Sequence, residues 1–166
     1  MSNQVYANGQ QKYYAQPGLT EWVLPATQTF DPPPLITNVV FDPVPIINQG
    51  GQVNLSFNGT TNEFTAEEAG MYRLSFISSA QMAGSANFEY SIGIQLIAGH
   101  LGADGDVVAQ WEGSAVMAVS HRSHQQVAAT VFLPQGSTFR VYLLNYRPDT
   151  LGLLDSATRL FVTKIS

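Results

Sequence analysis

Hydrophobic and polar side chains alternate along most of the chain from residue 35 onward. In one clear stretch, Tyr72, Leu74 and Phe76 are separated by Arg73 and Ser75. A period of two is typical of a strand that buries one face and exposes the other. Turn-forming Gly, Pro, Asn and Asp residues separate such stretches, which favours a β-sandwich or barrel. The predicted strands are Leu35–Phe41, Gln52–Phe57, Glu63–Ala66, Met71–Phe76, Phe88–Leu96, Val107–Trp111, Ala115–Ser120, Gln125–Leu133, Thr138–Tyr146 and Ala157–Ile165.

The pattern changes before residue 35. Seven of the nine prolines fall between Pro17 and Pro45, and proline fixes φ and lacks an N–H donor. The sequence therefore predicts an extended N-terminal arm over 1–34 and one domain over 35–166. A partly disordered tail is the alternative, but disordered segments are poor in aromatic residues, which favours an arm that docks on another surface. The aromatic residues expected to anchor it are Tyr6, Tyr13, Tyr14, Trp22 and Phe30.

Three later stretches are apolar on both faces: 127–133, 141–144 and 160–162. A sandwich covers only one face of each strand, so a second apolar face predicts a neighbouring subunit. A few ordinary exposed apolar residues are the alternative. The predicted subunit interface consists of Ala128, Thr130, Phe132, Tyr142, Leu144, Tyr146 and Phe161.

Composition excludes several classes of protein. The 166 residues carry a net charge of −5 and only 11% charged side chains, with no cysteine. Disulfides, thiolate metal sites and cysteine nucleophiles are therefore absent. So few cations argue against nucleic-acid binding, because phosphate contacts need clustered Lys and Arg. No run of about 20 apolar residues predicts insertion into a membrane.

Candidate chemical sites have simpler explanations. His121 and His124 are three residues apart, and on a strand they would point to opposite faces, so they predict no shared metal site. Asp104 and Asp106 offer too few oxygen ligands for calcium, which prefers six to eight, and a plain turn is favoured. No nucleophile elbow or phosphate-binding loop is present. The sequence predicts a non-enzymatic protein without cofactors.

Several motifs resemble a known family. In the segment Glu68–Phe76, the residues Gly70, Tyr72 and Phe76 follow the order of the family's motif, with Leu74 where an aromatic residue is usual. At a later turn, Ser137 follows Gly136 where the family has an Asp. The chain is thereby similar to the globular heads of complement-type proteins in the tumour necrosis factor superfamily. That resemblance implies a ten-stranded jelly roll that assembles as a trimer. The matching segments are Phe41–Asn48, Gly59–Ala66, Glu68–Phe76, Val131–Gly136 and Leu160–Ile165.

Two functions follow as expectations. One is a structural protein of a virion, a trimeric or alternatively pentameric jelly-roll subunit of a capsid vertex, spike or fibre head. Such a protein would be made in the host cytoplasm, and the polar, uncharged start of the sequence matches no secretory signal. Its arm would contact neighbouring capsid proteins, and its head could contact a host receptor. The alternative is a receptor- or glycan-binding module on a bacterial cell or spore surface.

Overall fold

The computed structural model describes most of the chain. The described residues are 4–7, 10–13, 18–30, 36–49, 53–82, 87–116, 122–146, 151–153, 155 and 157–165. All regular structure in these ranges is β-strand, so the all-β fold expected from the alternating pattern is confirmed. No helix in these ranges is long and apolar enough to cross a membrane.

Fifteen strands occur within the described ranges, more than the eight to ten expected. They are β1 Gln4–Ala7, β2 Gln10–Tyr13, β3 Gly18–Val23, β4 Gln28–Phe30, β5 Thr37–Asn38, β6 Ile47–Gln49, β7 Leu55–Asn58, β8 Glu63–Ala66, β9 Gly70–Met82, β10 Asn87–Ala98, β11 Val107–Val116, β12 Ser123–Leu133, β13 Thr138–Asn145, β14 Leu151–Leu153 and β15 Arg159–Lys164. The unexpected strands are β1, β2, β3, β4, β6 and β14, and all but β3 have only three or four residues, too few for the alternating pattern to be detected.

The strands form a two-layer antiparallel sandwich, apart from a β1–β2 hairpin. The front sheet runs β12, β9, β15, β3 and β6, with β14 and β4 extending it beside the far end of β9. The back sheet runs β11, β10, β13, β8 and β7, and β5 adds to β13. Inward-facing side chains of both sheets meet in one hydrophobic core.

Aromatic rings fill the centre of this core. Phe64 on β8 is fully buried and stacks on Phe139 of β13, with ring centroids 5.1 Å apart. Trp22 meets Phe64 edge-on at 5.2 Å, and Phe41 and Phe57 approach it at 5.4 and 4.8 Å. Phe64 therefore joins both sheets, since Trp22 belongs to the front sheet.

The predicted arm boundary at residue 34 is wrong for residues 18–30. Strand β3 pairs along its length with β15, so that Trp22 lies opposite Leu160, and β4 pairs with β14. Trp22 and Phe30, expected as arm anchors, are buried in the core of their own chain. The physical reason is that Pro17 and Pro25 flank β3 and do not interrupt it.

Two other predicted elements change in extent. Val107–Trp111 and Ala115–Ser120 were expected as separate strands, but residues 107–116 form the single strand β11, and 117–121 lie outside the described ranges. The predicted strand Leu35–Phe41 reduces to β5, whose two residues pair with Tyr142 and Leu143. Phe41 still faces the core because its ring packs against Phe64 and Phe76.

Candidate interaction surfaces

The front face is the side of the front sheet turned away from the core. Four of the predicted interface residues lie on it: Ala128, Thr130 and Phe132 are exposed on β12, and Phe161 is half-buried on β15. The strand register aligns some of them across the sheet: Ala128 on β12 and Phe161 on β15 both lie opposite Ser75 of the intervening strand β9. Phe132 has 46% of its surface exposed, a large fraction for a phenylalanine.

Charges on the front face are few. Glu21 and Arg159 form an ion pair, with Oε1 and Nε 3.0 Å apart. Arg73 is exposed between Thr130 and Thr163 and has no ion pair within the described ranges. His124 is exposed near the start of β12, while His121 lies outside the described residues. The front face thus mixes apolar side chains with neutral polar ones, and Arg73 lies on it without an ion pair among the described residues.

The other three predicted interface residues lie on the opposite side of the molecule. Tyr142, Leu144 and Tyr146 occur at alternate positions of β13 and its end, opposite in phase to the core residues Val141 and Leu143. We call this outer side of the back sheet the back face. The seven predicted residues therefore divide between two faces and form no single patch in one subunit.

Tyr142 is nearly buried even though it lies on the back face. Its ring lies across Gly93 on the adjacent strand β10, and a Cβ atom at residue 93 would lie 2.5 Å from the ring. Only glycine leaves room for this arrangement. Tyr142 is 3% exposed, so its bulk covers its own sheet and presents little surface to a partner.

A polar cluster borders Tyr142 near the outer strand β11. Gln110 donates from Nε2 to Ser91 Oγ at 3.1 Å and to Glu112 Oε2 at 3.3 Å. Burial, and next the negative charge of Glu112, raise the pKa of Tyr146 above its ordinary value. The cluster therefore has Glu112 as an exposed carboxylate surrounded by neutral side chains.

The stability of the protein should fall in alkaline solution. Burial raises the pKa of Tyr72, Tyr90, Tyr142 and Tyr146, so above the ordinary value of about 10 the unfolded chain loses these protons first. Their contribution to stability is complete below about pH 10 and is lost as the pH rises through the folded pKa values. Thermal melts at increasing pH should show this decline, and a Tyr142→Phe variant should show a shallower one. A melting temperature of the wild-type protein that stays unchanged up to about pH 11 would contradict the predicted loss of stability.

Two long strand edges lie side by side at one margin of the sandwich. Within the described ranges, β11 pairs only with β10 and β12 pairs only with β9. These strands have 10 and 11 residues, and a long open edge is a template for pairing with another chain. The unpaired backbone groups of this margin are therefore available to pair with another chain.

The acidic loop between β10 and β11 closes on itself. Asp106 Oδ2 accepts the N–H of Ala103 at 3.0 Å, and His100 Nδ1 accepts the N–H of Gly102 at 3.1 Å. Asp104 is 3.8 Å from His100 Nε2 and largely exposed. Across the described ranges, no three His, Asp or Glu side chains are placed to hold a metal ion. Asp104 and Asp106 thus belong to a tight turn.

The remaining predicted arm anchors cannot be placed as side chains. The backbones of Tyr6 and Tyr13 belong to β1 and β2, whose side chains the structure does not describe, and Tyr14 lies outside the described residues. Sequence reasoning also passed over Arg73 and Glu112, although the alternation that placed Tyr72 inward already placed Arg73 outward.

Comparison with known proteins identifies the fold class. No protein-family model matches the chain, and no curated protein sequence matches it. Solved structures do match over nearly its full length, and they include tumour-necrosis-factor-like jelly rolls. The chain therefore has this fold, as its motifs predicted.

Two of these structures set the level of similarity. Murine APRIL, in its crystal structure at pH 5.0, superposes with a TM-score of 0.59 and 15% identity, covering 90% of this chain and 100% of that one. Eiger TNF from S. frugiperda superposes with a TM-score of 0.60 and 11% identity, covering 91% and 94%. At such identities the similarity concerns the fold.

Proposed function

We propose that this protein is a non-enzymatic subunit that assembles into a homotrimer through its front face. The observation that carries the proposal is the exposure of Phe132 on that face, beside exposed Ala128 and half-buried Phe161. A face of this composition gains free energy when a second subunit removes it from water. The proposed number of subunits is three, because the resemblance of the chain to the tumour necrosis factor superfamily implies assembly as a trimer.

The absence of catalysis is part of the same proposal. The loop with His100, Asp104 and Asp106 uses its polar atoms to close its own turn. In the polar cluster around Glu112, the amide of Gln110 donates to both Ser91 and Glu112. These arrangements support a role in contact with other molecules.

We further propose that the trimer is a component of a virion, as a vertex, spike or fibre head. The low charge and absence of cysteine support a subunit held together by packing alone. A receptor- or glycan-binding module on a bacterial or spore surface is the other candidate, and the tumour-necrosis-factor-like fold supports a ligand-like module of this kind. Mass spectrometry of purified virions tests the choice: a stoichiometric copy number supports the structural role, and absence of the chain overturns it.

Trimer formation has a direct test in solution. Light scattering at micromolar concentration should give three times the mass of the chain. Phe132→Asp places a charge in the apolar face and should weaken the trimer by at least about tenfold, or about 1.4 kcal/mol. Leu101→Asp is the matched control, because Leu101 is 87% exposed on the β10–β11 loop and not on the front face. A wild-type chain that stays monomeric would refute the proposal.

A further inference from the structure

The hairpin between β7 and β8 contains an asparagine followed by a glycine, Asn58 and Gly59. Such a pair commonly forms a two-residue turn in which both residues have positive φ. Here the loop is longer, because Asn58 pairs with Glu63, and the residue of the loop with positive φ is Asn62, at 57°. The glycine therefore does not occupy the left-handed position of this turn.

The structure also gives Gly59 no steric reason to be glycine. Its φ lies outside the left-handed region, and a Cβ atom at this position would meet nothing within 4 Å. A residue with a side chain would fit there, and glycine loses more conformational freedom on folding than any other residue. What glycine supplies at this position is an unshielded and flexible backbone nitrogen next to Asn58.

The side-chain amide of an asparagine is an electrophile for that nitrogen. The backbone nitrogen of the following residue attacks the amide carbon Cγ and closes a five-membered succinimide ring. The attacking nitrogen loses its proton, the bond between Cγ and Nδ2 breaks, and ammonia leaves. A side chain on the following residue hinders this ring closure, so an asparagine followed by glycine reacts fastest.

The contacts of the Asn58 side chain favour this attack. Its Oδ1 accepts the backbone N–H of Thr60 at 2.9 Å and, more distantly, that of Thr61 at 3.4 Å. Negative charge develops on this oxygen when Cγ is attacked, and N–H groups already directed at it stabilise that charge. The leaving group Nδ2 makes no hydrogen bond among the described residues, and residues 58–61 are exposed to water.

We propose that Asn58 is a site of spontaneous deamidation in the folded protein, with the backbone nitrogen of Gly59 as the nucleophile and water as the second reactant. Water opens the succinimide at either carbonyl carbon. Attack at Cγ gives aspartate, and attack at the backbone carbonyl carbon gives isoaspartate. The net change replaces the amide by a carboxylate and releases ammonia. This inference does not depend on the proposed trimer.

Isoaspartate disturbs the hairpin because the chain then runs through Cβ and Cγ of residue 58. The backbone carbonyl that accepts the N–H of Asn62 at 2.7 Å no longer continues the chain. The lengthened backbone follows Phe57, whose ring lies 4.8 Å from that of Phe64. Either product also places a carboxylate opposite Glu63, and opposed like charges repel. Deamidation therefore loosens the end of β7, an edge strand of the back sheet.

Mass spectrometry of the aged protein tests the site. The folded full chain is incubated in mildly alkaline buffer, and chymotrypsin then cleaves after Phe57 and Phe64 to release residues 58–64. Compared with an unincubated sample, the amide of Asn58 should be lost to both isoaspartate and aspartate, while the amide of Asn62 in the same peptide remains. Gly59→Ala should slow the loss at least about tenfold, which is about 1.4 kcal/mol in the activation barrier.

Each outcome supports or refutes the proposal. An amide at Asn58 that persists as long as that of Asn62 refutes it, and this comparison holds even if Gly59→Ala does not fold. Aspartate without isoaspartate, or equal loss in wild type and folded Gly59→Ala, refutes the succinimide route. The aged wild type should also melt at a lower temperature than the aged Gly59→Ala protein, each relative to its fresh sample, and an unchanged wild type refutes the predicted loosening.

Discussion

A chain that begins at Leu35 should fail to fold. It loses β3, which lies between β15 and β6 in the front sheet, and with it Trp22, which is 2% exposed in the core. Removing the Trp22 side chain alone should cost about 3–5 kcal/mol. The truncation also opens the edge of β15 and removes the buried Leu24 and Phe30. The three side chains alone cost about 8–15 kcal/mol, as much as a typical net stability of about 5–15 kcal/mol.

A chain that begins at Gly18 is the matched control for this truncation. It keeps the described core residues, so its far-ultraviolet circular dichroism and its melting transition should remain close to those of the full chain. The chain from Leu35 should show no cooperative melting transition. A cooperative transition near that of the full chain would mean that β3 is dispensable for the sandwich.

Phe64→Ala should be the most damaging single substitution in the core. Phe64 is 0% exposed and contacts the rings of Trp22, Phe41, Phe57 and Phe139, with centroids 4.8 to 5.4 Å away. Truncation removes these contacts and leaves a cavity, at a cost of about 3–5 kcal/mol. The melting temperature should fall by roughly 10 °C, since a domain of this size loses about 2–4 °C per kcal/mol.

Denaturant unfolding measures the loss in free energy of unfolding caused by Phe64→Ala. The protein concentration is held fixed, because association with other copies also raises apparent stability. Val44→Ala is the control: Val44 is 68% exposed, and its truncation should change stability by less than about 0.5 kcal/mol. Equal losses for the two variants would show that the core is not organised around Phe64.

The alternating stretches were sufficient to predict the long central strands. Tyr72, Leu74 and Phe76 face the core as expected, because a period of two leaves only one way to bury three large side chains on a strand. The family motifs added the jelly-roll arrangement, which a period alone does not contain. Local pattern and short motifs thus accounted for the class of fold.

The missed strand β3 shows why the rest could not be predicted. Its inward residues include Thr20, a polar side chain that is 1% exposed, so its alternation of apolar and polar residues is weak. Partners at the far end of the chain decide its place, since Leu160 and Val162 pair with Trp22 and Thr20. Pairing over such a separation leaves no trace in the local sequence.

The candidate surfaces were predictable only in part. Apolar residues on both faces of a strand marked Phe132 and Phe161 on the front face, but the same rule selected Tyr142, which covers Gly93 of its own sheet. Apolar residues on both faces of a strand occur at subunit contacts and also where a ring covers a glycine of the neighbouring strand, so the pattern does not distinguish the two cases. That distinction depends on the register between β10 and β13.

The pairing of β3 with β15 also has a consequence for synthesis. These strands come from opposite ends of the chain, which gives the fold a high contact order and slow folding, roughly milliseconds to seconds once the chain is complete. On the ribosome, at about 5–20 residues per second, β3 remains without its partner until residues 159–164 emerge. Trp22 and Leu24 then stay exposed through translation, and the nascent chain should depend on chaperones that shield apolar segments.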